Sequence, residues 1–331
     1  MPRTFHLSFL TVAALYFGCF AHNAGAEEPA RIAKFKGDCD AAISFTLDDG
    51  WEDAATLAAP LLDKYGIHAT FVICPGRVPE EDDPKAADEY GRIGWKTWKK
   101  IAAAGHEIGS HTLHHPGLTK ADDATLQKEV DGAYDMLLER IGAAPISFAY
   151  PYNARDERVR KVVYAKHTVA REFETGYGGP TFTAQKANAI LENAIRKKEW
   201  LVPMVHAIEK GYAAFTSAAV FEEHLQYVQS KKDQVWIDTF GNIGRYVKER
   251  DDAKLDAKKN GNSVTFTLKS TLDAKKFDVP LTVVIDAPNA ASAEAKRDGE
   301  AAPIPVTLTA ESLLIDVQPG SAPVTVSWKP K

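Results

Sequence analysis

Two carboxylates stand side by side at the end of an apolar, β-prone run, Ile43-Ser44-Phe45-Thr46-Leu47-Asp48-Asp49-Gly50-Trp51. A strand that stops at a glycine turn delivers both acids at its carboxyl end. Two neighbouring carboxylates in an apolar setting are costly unless a cation or a hydrogen-bond donor balances them. A second dense stretch offers residues that hold cations: Gly105-His106-Glu107-Ile108-Gly109-Ser110-His111-Thr112-Leu113-His114-His115-Pro116. His111 and His115 are four apart, so in a helical turn both imidazoles face one way. Two imidazoles with one carboxylate form a ligand set for catalytic zinc that leaves positions for water and substrate. Asp49 is the natural third ligand. Plainer readings compete. Asp49 would cap a helix running from Glu52 to Tyr65, His106 would be a satisfied core residue, and His114 would replace His115 as ligand. Pro116, directly after His115, points to a fixed turn there.

These residues need a scaffold, and the pattern from Ala42 onward supplies one by alternating strand and helix. Strands are expected at Ala42–Leu47, His68–Cys74, His106–Ser110, Ile146–Tyr150, His167–Ala170, Trp200–Val205 and Val235–Thr239. Helices are expected at Asp53–Tyr65, Trp95–Ala104, from Thr119 or Asp122 onward, near Asp156–Tyr164, Ala184–Lys197 and Ile243–Arg250, with Phe221–Val228 on another. The polar excursion Pro75–Gly91 reads as a surface loop. About seven strands, most followed by a helix, predict an α/β fold, a distorted (β/α) barrel of parallel strands. A barrel is favoured over a doubly wound sheet because Asp48, Asp49, His111, Tyr152 and His206 all follow strand ends, the face where such barrels carry their sites. After Asp251 the pattern changes to short β-type runs (Ser263–Lys269, Val279–Ile285, Ile304–Leu308, Ser312–Val317 and Pro323–Lys329), which predict a small all-β, sandwich-like domain. The expected division is a leader at 1–26, the barrel at 27–251 and the β domain at 252–331. With no aromatic strip, that last domain reads as a structural cap rather than a carbohydrate-binding module.

A 331-residue chain with 45% apolar and 26% charged residues is long enough for one large domain and one small one. The net charge of −5 gives no support to a nucleic-acid partner. Arg3, the apolar run Phe9–Phe20 and the small residues Ala24-Gly25-Ala26 fit a secretory signal peptide, too short to span a bilayer comfortably. They predict a secreted or periplasmic protein with no transmembrane segment in the mature chain. Lipid attachment at Cys19 ranks lower, since Tyr16 stands where such sites want an aliphatic residue. Cys39 and Cys74 would fall at opposite ends of adjacent parallel strands, roughly 20 Å apart, too far for a disulfide.

With these stretches in view, residues from Ala41 to about Arg250 resemble the NodB-like polysaccharide deacetylases, carbohydrate esterase family 4. The resemblance rests on Thr46-Leu47-Asp48-Asp49-Gly50, His111-Thr112-Leu113-His114-His115, Phe148-Ala149-Tyr150-Pro151-Tyr152-Asn153 and Val205-His206. Gly66-Ile67-His68-Ala69-Thr70-Phe71 and Gly105-His106-Glu107-Ile108 echo it. The resemblance implies a metal-dependent hydrolase removing acetyl groups from a polysaccharide or oligosaccharide, with N-acetylglucosamine units favoured. It implies Asp48 as general base, Asp49, His111 and His115 as metal ligands, the Tyr152 backbone N–H as oxyanion donor and His206 as general acid. The implied cofactor is a divalent metal, Zn2+ before Co2+.

The chain also departs from the family pattern. Where many members have an arginine that orients the base, this one has Ala149. Arg171, just after the fifth expected strand, is a candidate substitute on the same barrel face. The family's Asp-x-x-Asp-Trp pattern is missing; Glu172 sits near its expected place. Asn153 stands for a frequent glycine, a mild change because asparagine tolerates left-handed backbone. Two other functions fit the same residues: an O-acetyl esterase on xylan-like polymers, and a non-catalytic carbohydrate-binding protein on the deacetylase scaffold. A hydrolase of another small C–N bond ranks last. The oligomeric state is not legible.

Overall fold

A computed structural model describes residues 28–82 and 91–331; the signal-peptide stretch, Cys19 and residues 83–90 of the polar excursion lie outside them. The strands in chain order are β1 Arg31–Ile32, β2 Ala41–Ile43, β3 Thr46–Asp49, β4 Thr70–Ile73, β5 Glu107–Ser110, β6 Ser147–Phe148, β7 Val169–Ala170, β8 Thr175–Gly176, β9 Trp200–Leu201, β10 Pro203–Val205 and β11 Val235–Ile237. Helices α1 Ala59–Lys64, α2 Trp95–Ala103, α3 Asp123–Ile141, α4 Glu157–Lys166, α5 Ala184–Lys197, α6 Ala218–Ser230 and α7 Phe240–Asp252 alternate with them. Side-chain caps fix several helix starts: Asp122, Asp156, Thr183, Ser217 and Thr239 each accept a backbone N–H in the first turn of α3 to α7. No helix among the described residues is long and apolar enough to cross a membrane.

Seven strands form one parallel sheet in the order β7-β6-β5-β4-β3-β10-β8. Its edge strands β7 and β8 are consecutive in the chain but are not paired, so the sheet is a curled half-barrel bridged by residues 171–174. Two strands expected as continuous are broken in the middle. β2 pairs with both β9 and β11 in a separate three-stranded parallel sheet, whereas β3 and β10 belong to the large one. At the break, Ser44 N–H donates to the Leu201 carbonyl at 3.0 Å, and the Trp200 indole donates to Ser44 Oγ at 2.9 Å. Each half therefore keeps its backbone bonds while changing neighbours. Phe45, Leu47, Phe71 and Ile73 pack against Trp98, Ile101, Leu191 and Leu225 of the surrounding helices in one dry core.

Beyond α7 come β12 Lys254–Asn260, β13 Ser263–Lys269, β14 Leu281–Asp286, β15 Ala290–Arg297, β16 Thr307–Leu308, β17 Ser312–Val317 and β18 Val324–Pro330. They form two antiparallel sheets, β12-β13-β18-β15 and β1-β14-β17-β16. Val264, Phe266, Val283, Ile315 and Val326 fill the space between them, with Ile243 and Tyr246 of α7 in the same core. The N-terminal strand β1 thus completes a C-terminal sheet, and the Tyr246 hydroxyl donates to the Ala33 carbonyl at 2.9 Å beside it. β12 and β15 were not expected as strands. Lys254–Asn260 is charged and Ala290–Arg297 is alanine-rich, compositions that suit solvated sheet edges but carry little β signal.

Candidate active site

The carboxyl end of β3 sets the site. Asp49 ends the strand at φ +72° and Gly50 follows at φ +71°, so the backbone turns sharply away after the second acid. A Cβ at Gly50 would lie 3.1 Å from Ile73 side-chain atoms, which makes glycine the residue that fits there. Among the described residues, five of the nine non-glycine residues with positive φ cluster here: Asp49, Thr112, His115, Tyr152 and Asn153. Such backbone persists only where the surroundings hold it.

Asp48 is buried and gripped by Arg171, whose Nη1 donates to Oδ1 at 2.7 Å and whose Nη2 donates to Oδ2 at 2.5 Å. Arg171 Nη1 also donates to Thr46 Oγ1 at 2.7 Å, and that hydroxyl donates to the Pro203 carbonyl at 3.0 Å. The guanidinium comes from the bridge between the two unpaired edges of the half-barrel, next to β7. Burial alone would raise the Asp48 pKa, but the charge and paired hydrogen bonds of Arg171 outweigh it and hold the carboxyl below its ordinary range. The arginine missing at position 149 is thus matched by a fork reaching the same acid from position 171.

Asp49 Oδ1 lies 3.5 Å from His111 Nε2 and 3.3 Å from His115 Nε2. One ligand atom from each of the three side chains lies within 4.8 Å of the others, a cluster able to hold a metal ion. Tautomer supports the fit: His111 Nδ1 donates to the Ala149 carbonyl at 2.8 Å, which leaves the Nε2 lone pair free on the Asp49 side. Burial lowers the pKa of His111; burial and the neighbouring His111 bring His115 down to about 4. Both imidazoles are therefore neutral and basic toward a cation at ordinary pH.

The route from His111 to His115 differs from the helical turn expected. Residues 112–117 form an irregular loop in which Thr112 and His115 are left-handed and the His115 N–H donates to Thr112 Oγ1 at 2.9 Å. His114 turns away to Glu129 of α3, which accepts its backbone N–H at 2.8 Å and lies 2.9 Å from its Nδ1. That geometry separates the two histidines the sequence left as alternatives: His115 joins the cluster and His114 does not. Glu129, buried on the apolar face of α3, was not singled out from the sequence. Its signal is an acid inside the spacing set by Leu126, Val130 and Ala133. His106 is a core residue: its Nδ1 accepts the Ala69 N–H at 3.0 Å and its Nε2 faces Asp63 at 3.1 Å.

Asp48, Asp49, His111, His115, Tyr152, Arg171 and His206 all line one cleft of about 670 Å³, together with Trp51, Tyr150, Asn153, Met204 and Tyr212. Every site residue expected from the sequence is therefore in one place. Tyr152 is 72% exposed at φ +58°, with its ring edge-on to His115. Across the cleft the His206 ring sits 6.1 Å from Trp51 and 5.2 Å from Tyr212, and its buried Nδ1 has no hydrogen-bond partner among the described residues. Glu172 does not supply one. It is occupied by Arg155 at 2.7 Å, Arg160 at 3.2 Å and the hydroxyls of Tyr150 and Tyr164. Cys39 and Cys74 are free thiols, and Cys74 Sγ donates to the His111 carbonyl at 3.3 Å.

The sequence profile of the polysaccharide deacetylases matches residues 36–192. Over that stretch, a little under half of its length, the chain is similar to the polysaccharide deacetylase family. The match includes the acids, the histidine cluster, Tyr152 and Arg171, and it ends before His206. The chain is 26% identical over 340 residues to a gellan lyase from a Bacillus species, a match spanning 90% of this chain and 13% of that protein. It is 27% identical over 119 residues to the peptidoglycan-N-acetylmuramic acid deacetylase PdaC of Bacillus subtilis, spanning 36% of this chain and 23% of the relative. The chain spans less than half the length of the curated relatives it matches. A crystal structure from Mycobacterium smegmatis, named for the polysaccharide deacetylases, shares the fold with a TM-score of 0.51 at 16% identity, covering 68% of this chain and 96% of that one.

Proposed function

We propose that this chain is a metal-dependent hydrolase that removes acetyl groups from N-acetylglucosamine units of a polysaccharide or oligosaccharide. The observation that carries the reading is the pairing of roles at the end of β3. Asp48 is locked to Arg171 and kept out of the ligand cluster, while its neighbour Asp49 faces the two imidazoles. A metal-bound carboxylate is a poor free base, so adjacent acids with different partners divide the work.

Asp49, His111 and His115 would hold a divalent cation, Zn2+ before Co2+, and when bound it supplies Lewis acidity toward the acetyl carbonyl and the attacking water. Asp48, ionised at rest, takes the proton of that water as oxygen attacks the acetyl carbon. The Tyr152 N–H donates to the oxyanion as the carbonyl becomes tetrahedral. His206 then gives a proton to the departing nitrogen as the C–N bond breaks, so acetate and a free amine leave. The aromatic rings of Trp51, Tyr152 and Tyr212 around the cleft offer apolar faces of the kind that pack on sugar rings. A secreted or periplasmic setting belongs to the same proposal and rests on residues 1–26, outside the described residues.

The test is acetate release from a panel of acetylated glycans: N-acetyl chito-oligosaccharides, peptidoglycan fragments and acetylated xylan, with Zn2+ or Co2+ added. We expect turnover on an N-acetyl substrate and a loss of about 10²–10⁴-fold in kcat for Asp48→Asn. Release from acetylated xylan alone would move the assignment to an ester hydrolase. Tight glycan binding with no acetate release would make the chain a binding protein.

A further inference from the structure

The acid side of the cleft carries a carboxylate with no role so far. Asp53 lies four residues after Asp49 and is 5% exposed. It occupies the capping position of the widened turn Ala54–Ala58, yet its side chain makes no bond to its own helix. Its Oδ2 instead accepts three consecutive backbone N–H groups from across the chain, those of Ile208 at 3.0 Å, Glu209 at 2.7 Å and Lys210 at 2.7 Å. Three N–H dipoles converging on one oxygen form a nest that fixes a turn as firmly as a bound anion would. The turn so fixed begins two residues after His206.

We propose that Asp53 is a positioning residue for His206, holding the acid loop against the segment that carries the base Asp48 and one proposed metal ligand, Asp49. The inference rests on the deacetylase reading of this cleft. Among the described residues the His206 Nδ1 is buried and unpartnered. Ring contacts with Trp51 and Tyr212 and the path of its own backbone locate it. That path is tied down on both sides. The Phe215 N–H donates to the Ala207 carbonyl at 3.1 Å, closing the loop on itself. Gly211 lies so close to Trp51 that an added Cβ would come within 2.5 Å of its ring. Asp53 and Trp51 therefore clasp the 207–211 turn from one short stretch, and that stretch starts at Asp49. A shift of the turn would move His206 relative to the reacting carbon while leaving Asp48, His111 and His115 in place.

The experiment compares wild type, Asp53→Ala and Asp53→Asn on two substrates. An N-acetyl chito-oligosaccharide needs a proton on its leaving nitrogen, whereas 4-nitrophenyl acetate releases 4-nitrophenolate, which departs without one. We expect Asp53→Ala to lower kcat on the oligosaccharide by about 100-fold, the scale of misplaced acid catalysis. KM and 4-nitrophenyl acetate hydrolysis should change less than about threefold, and Zn2+ affinity by isothermal titration should not change. Asp53→Asn keeps one acceptor oxygen and should recover most of the loss. Equal losses on both substrates, a fall in Zn2+ affinity or unchanged oligosaccharide turnover would overturn the proposal. Hydrogen exchange at the Ile208, Glu209 and Lys210 amides and the His206 ring resonances supply an arm independent of activity. They should change in Asp53→Ala, and unchanged exchange and ring signals would also overturn it. If wild type itself releases no acetate, the deacetylase reading fails, and the exchange and resonance data still decide whether Asp53 positions His206.

Discussion

On one wall of the cleft, functional side chains are held through other polar groups. Asp48 is held by the Arg171 fork, and the His111 ring by the Ala149 carbonyl. The His115 backbone is held by Thr112, with its neighbour His114 tied to Glu129. On the other wall His206 has ring contacts and a backbone clasp but, among the described residues, no polar partner on Nδ1. The contrast follows from what each wall must do. Buried charges and metal-binding atoms cost free energy unless each finds a partner, so the first wall cannot be left loose. His206, the proposed acid, is placed instead through the backbone of the turn that follows it.

The largest effect should come from breaking the first wall at Arg171. Arg171→Met leaves Asp48 buried without its cation, and removing one partner of a buried pair costs about 3–5 kcal/mol. Urea unfolding should show that loss near pH 7, with acetate release falling as well; unchanged turnover would end the idea that Arg171 orients the base. The pH dependence gives the sign. Asp48 in the folded protein titrates below its unfolded value of about 3.9. Its contribution is therefore present above that unfolded pKa and lost as pH falls through the folded one. Arg171→Met removes the lowering, and burial then raises the Asp48 pKa above the unfolded value. The gap between wild type and variant should accordingly narrow as the pH is brought toward 3, and a constant gap would mean that Asp48 does not feel Arg171.

A smaller effect should separate His115 from His114, and here the readout is metal affinity rather than stability. His115→Ala should weaken Zn2+ binding by more than about 100-fold, beyond the usual cost of losing an outer-shell partner. His114→Ala should leave it within a few-fold, because the His114 side chain faces Glu129. Equal losses would mean that the loop, rather than the His115 side chain, makes the cation site.

How much of this was legible from residues alone divides along the same line. The first wall announced itself through residue type in its adjacent acids after an apolar run and its histidines four apart; Arg171 was indicated only by the family resemblance, through the alanine that stands at position 149. Helix α5 was placed at Ala184–Lys197 from its pattern, alternation predicted the parallel sheet, and the polar residues after strand ends favoured closing it into a barrel, which the structure forms by half. The second wall was half hidden. His206 stood out as a polar residue after a strand, but Asp53 read as part of an ordinary helix start. Its partners are backbone N–H groups more than 150 residues away, and backbone groups leave no mark in sequence. The same reason hid the breaks between β2 and β3 and between β9 and β10. Their apolar runs are continuous, and only the change of hydrogen-bonded neighbour divides them. The loop at 112–117 defeated a spacing argument because the Thr112 hydroxyl, not a helical carbonyl, takes the His115 N–H.

The smallest effect tests the second wall from its exposed side. Tyr212 meets the His206 ring edge-on at 5.2 Å but is itself 66% exposed, so little burial is lost with it. Aromatic contacts of this kind contribute about 0.5–1.5 kcal/mol, and solvent exposure puts this one at the lower end. Tyr212→Ala should therefore raise KM for a glycan several-fold by removing a face of the cleft, lower kcat by less than about fivefold, and leave 4-nitrophenyl acetate hydrolysis unchanged. A loss in kcat as large as that expected of Asp53→Ala would shift the positioning of His206 from the clasped backbone to the ring pair. The second wall would then be held by side chains after all, as the first is.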